Sequence, residues 1–328
     1  MVLDFEEEFM IEELKRIKPK KVLVQLPEGI KTEAISIKNK IEKLGIEVVF
    51  SGETSWGGCC LGLEEAKKFK VDLIIHFGHS EFIKTKFPVL YVEIKDNVDL
   101  SKILNKSLNK LKDYKKIGLS FAVQHRHDLS KVLDFYKKNN KEVVLSKKDG
   151  FAFYEGQVIG CEYSGLKKIE NKVEAFVIIG NRFHSVGASL AVDKPVFLLD
   201  VYNDEVSEMS NFKDKIIRER AMAIDRFKRA KTIGIIAESK LGQKFGNYKN
   251  IIDKFREAGK QVVLISMSEI TPEKVMNFYN IDAFIELACP RIAIDDYSRY
   301  GKPMLTYKEA LVALGENSWE DLVKNGFL

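Results

Sequence analysis

The 328-residue sequence lacks an apolar run long enough to cross a membrane. A membrane helix needs about 20 consecutive apolar residues, and no run in this chain approaches that length. The N-terminal stretch MVLDFEEEFMIEELKRIKPKK is amphipathic, first acidic and then basic, and it has no apolar signal-peptide core. With 45% hydrophobic and 31% charged residues, the chain has the composition of a soluble globular protein. We therefore expect a cytoplasmic protein that does not contact the membrane.

The sequence also lacks a large excess of charge of one sign. Lys and Arg number 53 against 48 Asp and Glu, and these charges are interspersed along helical stretches instead of being gathered in one block. Solvated helix faces account for this distribution, whereas nucleic-acid-binding domains usually carry a concentrated basic patch. We therefore expect no direct binding to nucleic acid.

Cysteine is scarce, with four residues in the chain. Cytoplasmic thiols are kept reduced, so a disulfide framework is not expected. A free cysteine is most often a small buried hydrophobe. The alternatives are a metal ligand or a reactive thiol.

What the sequence does contain is a repeated order of short apolar runs and amphipathic helices. The runs are KKVLVQLP, IEVVFSGE, VDLIIHFGH and PVLYVEI, then KKIGLSFAV, KEVVLSKK, AFVIIGNRFH and PVFLLDV, then KTIGIIAES, QVVLISMSE, DAFIELACPRI and KPMLTY. Such runs between helices are typical of buried parallel strands. The pattern predicts an α/β protein of three pseudo-repeated, small doubly wound (Rossmann-like) parallel-sheet modules around a central site, spanning residues 1–110, 111–228 and 229–328.

Two further helices are predicted near module boundaries and the chain end. A charged helix from Asp204 to Arg229 is long enough to connect the second and third modules. The closing segment NSWEDLVKNGFL indicates an amphipathic helix with an acidic first turn, which suits the helix dipole.

Three cysteines occupy matching positions in the three modules. Cys59 follows the strand IEVVF, Cys161 follows KEVVL and a Gly-rich loop, and Cys289 closes the strand AFIEL. Loops at the carboxyl ends of parallel strands converge on a crevice, so these thiols are predicted to meet there. Their separations of 102 and 128 residues exclude a local zinc finger. Zinc with three cysteines and a water, and a [4Fe–4S] cluster with one iron lacking a protein ligand, both remain compatible with three thiols.

Several stretches resemble the signature segments of archaeal diphthamide synthase. They are GQVIGC (156–161), GNRFHSVG (180–187), SKLGQKFG (239–246) and, most specifically, ACPRIAIDD (288–296). SGETSWGGCC is similar to the first-loop segment of that family, with Trp56 where Tyr is usual. The resemblance therefore runs through all three modules.

The resemblance implies a noncanonical radical S-adenosylmethionine enzyme that acts in the first step of diphthamide biosynthesis. It implies a homodimer in which Cys59, Cys161 and Cys289 bind one [4Fe–4S] cluster, without the closely spaced CxxxCxxC motif of other radical S-adenosylmethionine enzymes. The implied reaction transfers the 3-amino-3-carboxypropyl group of S-adenosylmethionine, the co-substrate, to C2 of a histidine on translation elongation factor two. Methylthioadenosine is the implied by-product, and an electron donor is an implied partner.

Three other side chains are candidates for binding S-adenosylmethionine. Arg291 can form a bidentate fork with a carboxylate, Gln243 can hydrogen-bond the same group, and His184 is expected to end a strand at the same crevice. An ordinary loop contact is the alternative for Arg291 and Gln243, and a capped strand-end residue is the alternative for His184.

The remaining cysteine and histidines have no assigned role. Cys60 competes with Cys59 as a ligand, but the order of residues in the first loop favours Cys59. No pattern in the chain selects His76, His79, His125 or His127.

Two other functions remain open from the sequence. A quinolinate-synthase-like dehydratase also builds three modules around a three-cysteine cluster. A non-catalytic scaffold stabilised by a metal is the alternative outside the enzymes.

Overall fold

The computed structural model describes residues 3–238, 240 and 242–327, and its strands form three mainly parallel sheets and a small antiparallel pair. The β-strands are β1 (Leu3–Asp4), β2 (Lys21–Gln25), β3 (Glu47–Phe50), β4 (Leu73–Phe77), β5 (Val89–Val92), β6 (Lys95–Asp96), β7 (Lys116–Phe121), β8 (Glu142–Leu145), β9 (Ala175–Gly180), β10 (Val196–Asp200), β11 (Glu205–Glu208), β12 (Thr232–Glu238), β13 (Gln261–Met267), β14 (Ala283–Glu286) and β15 (Met304–Leu305).

Helices connect and cover these strands. The α-helices are α1 (Glu7–Ile17), α2 (Ala34–Glu42), α3 (Leu63–Phe69), α4 (Ser101–Lys110), α5 (Leu129–Lys138), α6 (Ser164–Lys167), α7 (Arg182–Ala191), α8 (Ser210–Lys228), α9 (Tyr248–Glu257), α10 (Pro272–Met276), α11 (Pro290–Asp295), α12 (Tyr307–Ala313) and α13 (Trp319–Asn325). Short 3₁₀-helices span Glu28–Glu33, Val123–Asp128, Glu170–Lys172 and Tyr297–Arg299. Among the described residues, none of the helices combines the length and the apolar character that crossing a bilayer requires.

The three sheets share one strand order. The first sheet runs β3-β2-β4-β5, the second β8-β7-β9-β10 with β11 added antiparallel, and the third β13-β12-β14-β15. Strands β4 and β9 are buried along their whole length, as expected for Val- and Ile-rich parallel strands covered by helices on both faces. This architecture confirms the α/β fold class with parallel sheets. The carboxyl ends of the central strands therefore form the edges on which ligand sites are expected.

The apolar cores do not follow the three sheets one to one. One large cluster of buried residues includes Phe176 and Ile178 of the second sheet together with Ile233 and Ile285 of the third. The first sheet packs on a separate cluster that contains Val22, among others. The second and third sheets thus share a core, and the first has its own.

Helix α8, which follows the second sheet in the chain, is anchored to elements around the third sheet through a buried ion pair. The Arg220 guanidinium donates to both carboxylate oxygens of Glu309 at 2.6 and 2.7 Å, and to the carbonyls of Ala293 and Met304. Both Arg220 and Glu309 are fully buried. Glu309 also caps α12 together with Thr306. The pair therefore connects α8 to α11, β15 and α12.

The structure confirms some sequence-based elements and corrects others. Helix α13 lies in the predicted C-terminal segment, with Ser318 as N-cap and acidic residues in its first turn. The connecting helix begins at Ser210 and not at Asp204, because the residues of β11 pair antiparallel with β10 instead.

Candidate metal centre

The three predicted cysteines lie in loops beyond the carboxyl ends of β3, β8 and β14, one from each sheet. The expectation that Cys289 closes a strand is wrong, because β14 ends at Glu286 and Cys289 is the N-cap residue of α11. The pKa of Cys59 is raised by its contact with Cys60, by burial, and by the charges of Cys161 and Cys289. The influence of Cys161 and Cys289 on Cys59 places the three loops on the same side of the protein, and the joint ligation of a metal group by these thiols stays a prediction.

Burial disfavours ionisation of the Cys161 and Cys289 thiols. Burial raises the pKa of Cys161 to about 12 and also raises that of Cys289, to which Glu286 and Cys161 contribute. Burial disfavours the thiolate, and each added thiolate repels the next. A metal centre reverses this balance, because coordination deprotonates a thiol.

Cys60 lies behind Cys59 in the same loop. Its side chain is 2% exposed, and its Sγ lies 3.8 Å from Cys59 Sγ. The backbone carbonyl of Cys60 accepts a hydrogen bond from Gln25 Nε2 at 2.9 Å. The two thiols thus lie close to each other, and the preference for Cys59 as ligand stays a prediction.

Gln243, in the loop that follows β12 of the third sheet, contacts the loop that carries Cys59 and Cys60. Its Nε2 donates to Cys60 Sγ at 3.2 Å and lies 3.8 Å from Cys59 Sγ. The neighbouring Gly242 has no room for a side chain, since an added Cβ would lie 2.5 Å from the Cys59 carbonyl oxygen. The loop residues Ser239 and Leu241 lie outside the described residues. Gln243 is therefore adjacent to the Cys59 and Cys60 thiols, and its role in binding S-adenosylmethionine stays a prediction.

Arg291 connects the Cys289 segment to the Cys161 loop. Its Nη1 donates to the carbonyl of Gly160 at 3.1 Å and lies 3.3 Å from the Tyr163 hydroxyl. Nε and Nη2 form the bidentate pair with Asp295, at 2.5 and 3.0 Å. The bidentate fork thus already holds Asp295, and the contact with Gly160 places this cation beside the Cys161 loop.

A glycine on α7 makes room for Arg291. A Cβ at Gly187 would lie 2.1 Å from Arg291 Nη1 and 2.0 Å from the Tyr163 hydroxyl. The guanidinium also stacks on the Phe183 ring, 4.0 Å from its centroid. The stretch GNRFHSVG therefore supports the position of Arg291.

His184 lies on the first turn of α7, so the expectation that it ends a strand is wrong. Strand β9 ends at Gly180, and the Asn181 side chain caps the helix by accepting from the His184 backbone N–H at 3.3 Å. Burial, with Arg291 nearby, lowers the pKa of His184 to about 4. His184 is therefore a neutral imidazole next to Arg291.

Glu286 positions the Cys289 loop, and the sequence reasoning did not single it out. Its Oε2 accepts from the backbone N–H groups of Ala288 at 3.1 Å and Cys289 at 2.9 Å. Burial raises the pKa of Glu286 to about 8. An acidic residue at the end of an otherwise apolar strand, in AFIEL, was the available signal.

His76 and His79 form a hydrogen-bonded pair that is linked to the first cysteine loop through Gln25. His76 Nε2 lies 3.0 Å from His79 Nδ1, and His76 Nδ1 lies 3.3 Å from Gln25 Oε1. Gln25 in turn holds the Cys60 carbonyl. Burial lowers the pKa of His79 to about 4. These two histidines thus support the loop from within the first sheet.

The donor chemistry of the centre fits an iron–sulfur cluster. All cysteines are free, and thiolates are the ligands that such clusters require. The fit rests on this chemistry, since the described part of the chain holds no preformed group of three or more His, Cys, Asp or Glu side chains for a single metal ion.

The fold and the candidate site define an α/β protein of three mainly parallel sheets, each followed by a loop that carries a free cysteine. The family model described as "Putative diphthamide synthesis protein" matches residues 26–323. The chain therefore belongs to this family of diphthamide synthesis proteins, which confirms the resemblance to the archaeal diphthamide synthases.

Curated relatives in this family are enzymes. The 2-(3-amino-3-carboxypropyl)histidine synthase of Pyrococcus horikoshii is 33% identical over 310 residues, covering 93% of this chain and 89% of the relative. The 2-(3-amino-3-carboxypropyl)histidine synthase subunit 1 of Saccharomyces cerevisiae is 29% identical over 310 residues, covering 92% of this chain and 72% of the relative.

Solved structures agree with this assignment. Dph2 from Pyrococcus horikoshii matches with a TM-score of 0.88 at 30% identity, covering 97% of this chain and 93% of that one. The same protein with a 4Fe-4S cluster matches with a TM-score of 0.89 at 30% identity, covering 99% and 95%. The relatives favour a diphthamide enzyme over a quinolinate-synthase-like dehydratase.

Proposed function

We propose that this protein is a 2-(3-amino-3-carboxypropyl)histidine synthase. It transfers the 3-amino-3-carboxypropyl group of S-adenosylmethionine to C2 of a histidine on translation elongation factor two. The observation that carries the proposal is that a solved relative matching 99% of this chain contains a 4Fe-4S cluster, while each of the three sheets here is followed by a loop with a free cysteine, Cys59, Cys161 or Cys289. When bound to these cysteines, a [4Fe–4S] cluster supplies the electron that breaks the bond between the sulfur and the methionine γ-carbon.

The residues around the thiols bind and orient S-adenosylmethionine. Gln243 is 3.2 Å from Cys60 Sγ and has an amide that can turn to a substrate carboxylate. Arg291 adds a buried positive charge on the Cys161 side, held in place by Asp295. His184, neutral and next to Arg291, provides a further polar contact. Such placement holds the sulfonium in one orientation, and orientation selects which of its bonds breaks.

The proposal includes the predicted organisation of the chain. The shared strand order supports three pseudo-repeated modules at 1–110, 111–228 and 229–328, although α8 serves the second and third modules together. An electron donor and a homodimer complete the proposal on the basis of the resemblance. Light scattering of the purified protein tests the dimer, and a monomer mass rejects it.

Analysis of nucleoside products tests the proposed reaction. Anaerobically reconstituted, chemically reduced enzyme is expected to convert S-adenosylmethionine to methylthioadenosine and to label one histidine of an archaeal elongation factor two. A cut at the ribose carbon instead releases 5′-deoxyadenosine. Chromatography separates the two nucleosides, and 5′-deoxyadenosine as the main product contradicts the proposed bond cleavage. Formation of quinolinate from its precursors identifies the dehydratase instead.

A further inference from the structure

A groove beside helix α3 of the first sheet has no role in the proposed function. It lies between α3 and the loop that precedes β5, and its volume is about 580 Å³. Part of its lining is apolar and includes Leu63 and Phe87, which pack against one small core cluster. Three lysines line the groove as well, namely Lys67, Lys70 and Lys86. The groove is open to solvent and therefore offers apolar surface and positive charge together.

The positive charge of the groove is not neutralised within the described part of the chain. Glu64 is the one acid that lines it, against three lysines. All five lysines from residue 67 to residue 86 are exposed, and none of them forms an ion pair with a described residue. Earlier lysines do form ion pairs with glutamates, namely Lys21, Lys31, Lys38 and Lys40. The helix dipole accounts for Lys67 and Lys70 at the C-terminal end of α3 but not for Lys86 on the loop. The charge is therefore available to a negatively charged partner.

Both walls of the groove adjoin the loop that carries Cys59. Helix α3 forms one wall and begins at Leu63, four residues after Cys59. Since consecutive Cα atoms are about 3.8 Å apart, the Cα atoms of these two residues lie within about 15 Å of each other. The loop of the other wall touches the cysteine loop at Gly58, where an added Cβ would lie 2.7 Å from the Ser80 carbonyl oxygen and 2.9 Å from Phe82 Cβ. A protein docked in the groove would therefore lie close to the first predicted metal ligand.

The proposed reaction needs one electron from outside the chain. An electron carrier has only to come near the metal group, whereas a protein substrate has to place a histidine at it. Electron-transfer partners form small, transient interfaces, and complementary charge steers their encounter. We propose that this groove docks a small acidic electron carrier, which passes one electron to the metal group held by the three cysteines. The carrier is oxidised by one electron and the metal group is reduced by one, so the step makes or breaks no bond. This inference rests on the proposed function and names its electron donor by chemical class.

Reduced flavodoxin, a small acidic flavoprotein, is the probe, because its semiquinone absorbs at longer wavelengths than an iron–sulfur cluster does. Stopped-flow absorbance follows its one-electron oxidation by anaerobically reconstituted full-length protein. The triple variant Lys67→Glu, Lys70→Glu, Lys86→Glu is expected to slow this step about tenfold or more, since the steering charge is reversed. The same variant in iron-free form is expected to bind oxidised flavodoxin about tenfold more weakly, measured by calorimetry. Dithionite, which needs no docking surface, is expected to reduce the triple variant and the wild type to the same extent.

A second triple variant, Lys137→Glu, Lys138→Glu, Lys172→Glu, is the matched control. It changes the net charge equally, its three lysines are exposed, and Lys137 and Lys138 end α5 as Lys67 and Lys70 end α3. It is expected to react with flavodoxin at the wild-type rate. Lys86→Glu alone is expected to slow the reaction several-fold and leaves α3 unchanged, so the test does not depend on the end of that helix. Added salt is expected to slow the wild type toward the rate of the groove variant.

Several outcomes overturn the inference. They are no binding or reduction of the wild type by flavodoxin, a wild-type rate in the groove variant, and equal slowing by the control variant, which leaves only an effect of overall charge. Loss of elongation-factor labelling by the dithionite-reduced groove variant assigns the groove to the protein substrate, and conversion of a dimer to a monomer assigns it to a second copy of this chain. Formation of methylthioadenosine by dithionite-reduced wild type is measured separately. Its absence rejects the proposed function, whereas its presence together with any of these outcomes rejects only the docking groove.

Discussion

Single side chains near the candidate cysteine ligands join loops that are far apart in sequence. Arg291 reaches the carbonyl of Gly160, 131 residues earlier in the chain, and Gln243 reaches Cys60, 183 residues earlier. Each such contact fixes two loops at once. We therefore expect substitutions here to change both the geometry of the thiols and the stability of the fold.

Replacing Cys59, Cys161 or Cys289 by Ala is expected to remove most of the iron from anaerobically reconstituted protein, because each change deletes one of three thiolate ligands. Cys60→Ala is the matched control, since Cys60 is adjacent in the chain but buried behind Cys59. It is expected to keep iron and sulfide near the wild-type content, measured by chemical analysis and visible absorbance. Loss of iron in Cys60→Ala with retention in Cys59→Ala reverses the assignment of the first-loop ligand.

Arg291→Ala is expected to lower the free energy of unfolding by about 2–3 kcal/mol, because Asp295, Gly160 and Tyr163 lose a charged donor. Arg291→Lys keeps the charge but cannot form the bidentate pair, so an intermediate loss is expected. Urea unfolding of iron-free protein measures both. Equal stability of Arg291→Ala and the wild type contradicts a structural role for these contacts.

The positions of Cys59, Cys161, Cys289 and Gln243 in loops beyond apolar strands were predictable, because such strands are recognisable in the sequence. Their roles as ligands or substrate contacts stay predictions. The partners of Arg291 were not predictable. Its bidentate fork was expected to be free for a substrate carboxylate, whereas it pairs with Asp295 four residues later. Whether a side chain is already occupied depends on tertiary packing, which one sequence does not reveal.

Secondary-structure elements were predictable where their pattern is local and strong. The Val- and Ile-rich runs became β2, β4, β7 and β9, because continuous apolar β-branched segments have few other stable environments. The short strands β1, β6 and β11 were missed, since two to four residues without apolar alternation become strands only when a partner is present. The first turn of α7 was predicted as the end of a strand, because the residues RFH follow closely on the apolar run AFVIIG. Asn181 instead caps a helix that begins at Arg182.

Helix α8 carries a fully buried ion pair, Arg220 with Glu309, that contacts elements around the third sheet. Arg220→Met is expected to cost about 3–5 kcal/mol of unfolding free energy, because Glu309 is left buried and unpaired. Glu309→Gln is expected to cost a similar amount, and the double variant less than the sum of the two. Urea unfolding of all three variants provides the measurement.

Arg229→Met is the control for this cycle, because Arg229 ends the same helix and pairs with Asp225 in an exposed salt bridge at 2.5 Å. A loss below about 1 kcal/mol is expected for it. Additive effects of Arg220→Met and Glu309→Gln, or equal losses for Arg220→Met and Arg229→Met, contradict the importance assigned to the buried pair.

At the scale of the molecule, the first sheet is held to the other two mainly by individual contacts, since the large shared core joins only the second and third sheets. Gln124 Nε2 donates to the Gly78 carbonyl at 2.8 Å, and Gln157 Nε2 donates to Ser80 Oγ at 2.7 Å. The rings of Phe82 and Phe151 stack with their centroids 4.2 Å apart. Contacts of this kind contribute about 1 kcal/mol each. A group bound to one cysteine from each sheet therefore adds a large share of the stability of this interface.

Removing the iron with a chelator is accordingly expected to loosen the interface and to leave the sheets intact. Hydrogen exchange followed by mass spectrometry should show faster exchange in the cysteine loop 51–62, in the 3₁₀-helix Val123–Asp128 and in loop residues 242–247. The central strands β9 and β12 should keep their protection, because the shared core does not depend on the thiols. Cys59→Ala without chelator should reproduce the same pattern, which separates loss of the cluster from effects of the chelator. A uniform rise in exchange over the whole chain indicates global unfolding instead, and unchanged exchange in the three loops means that the bound group does not hold the sheets together.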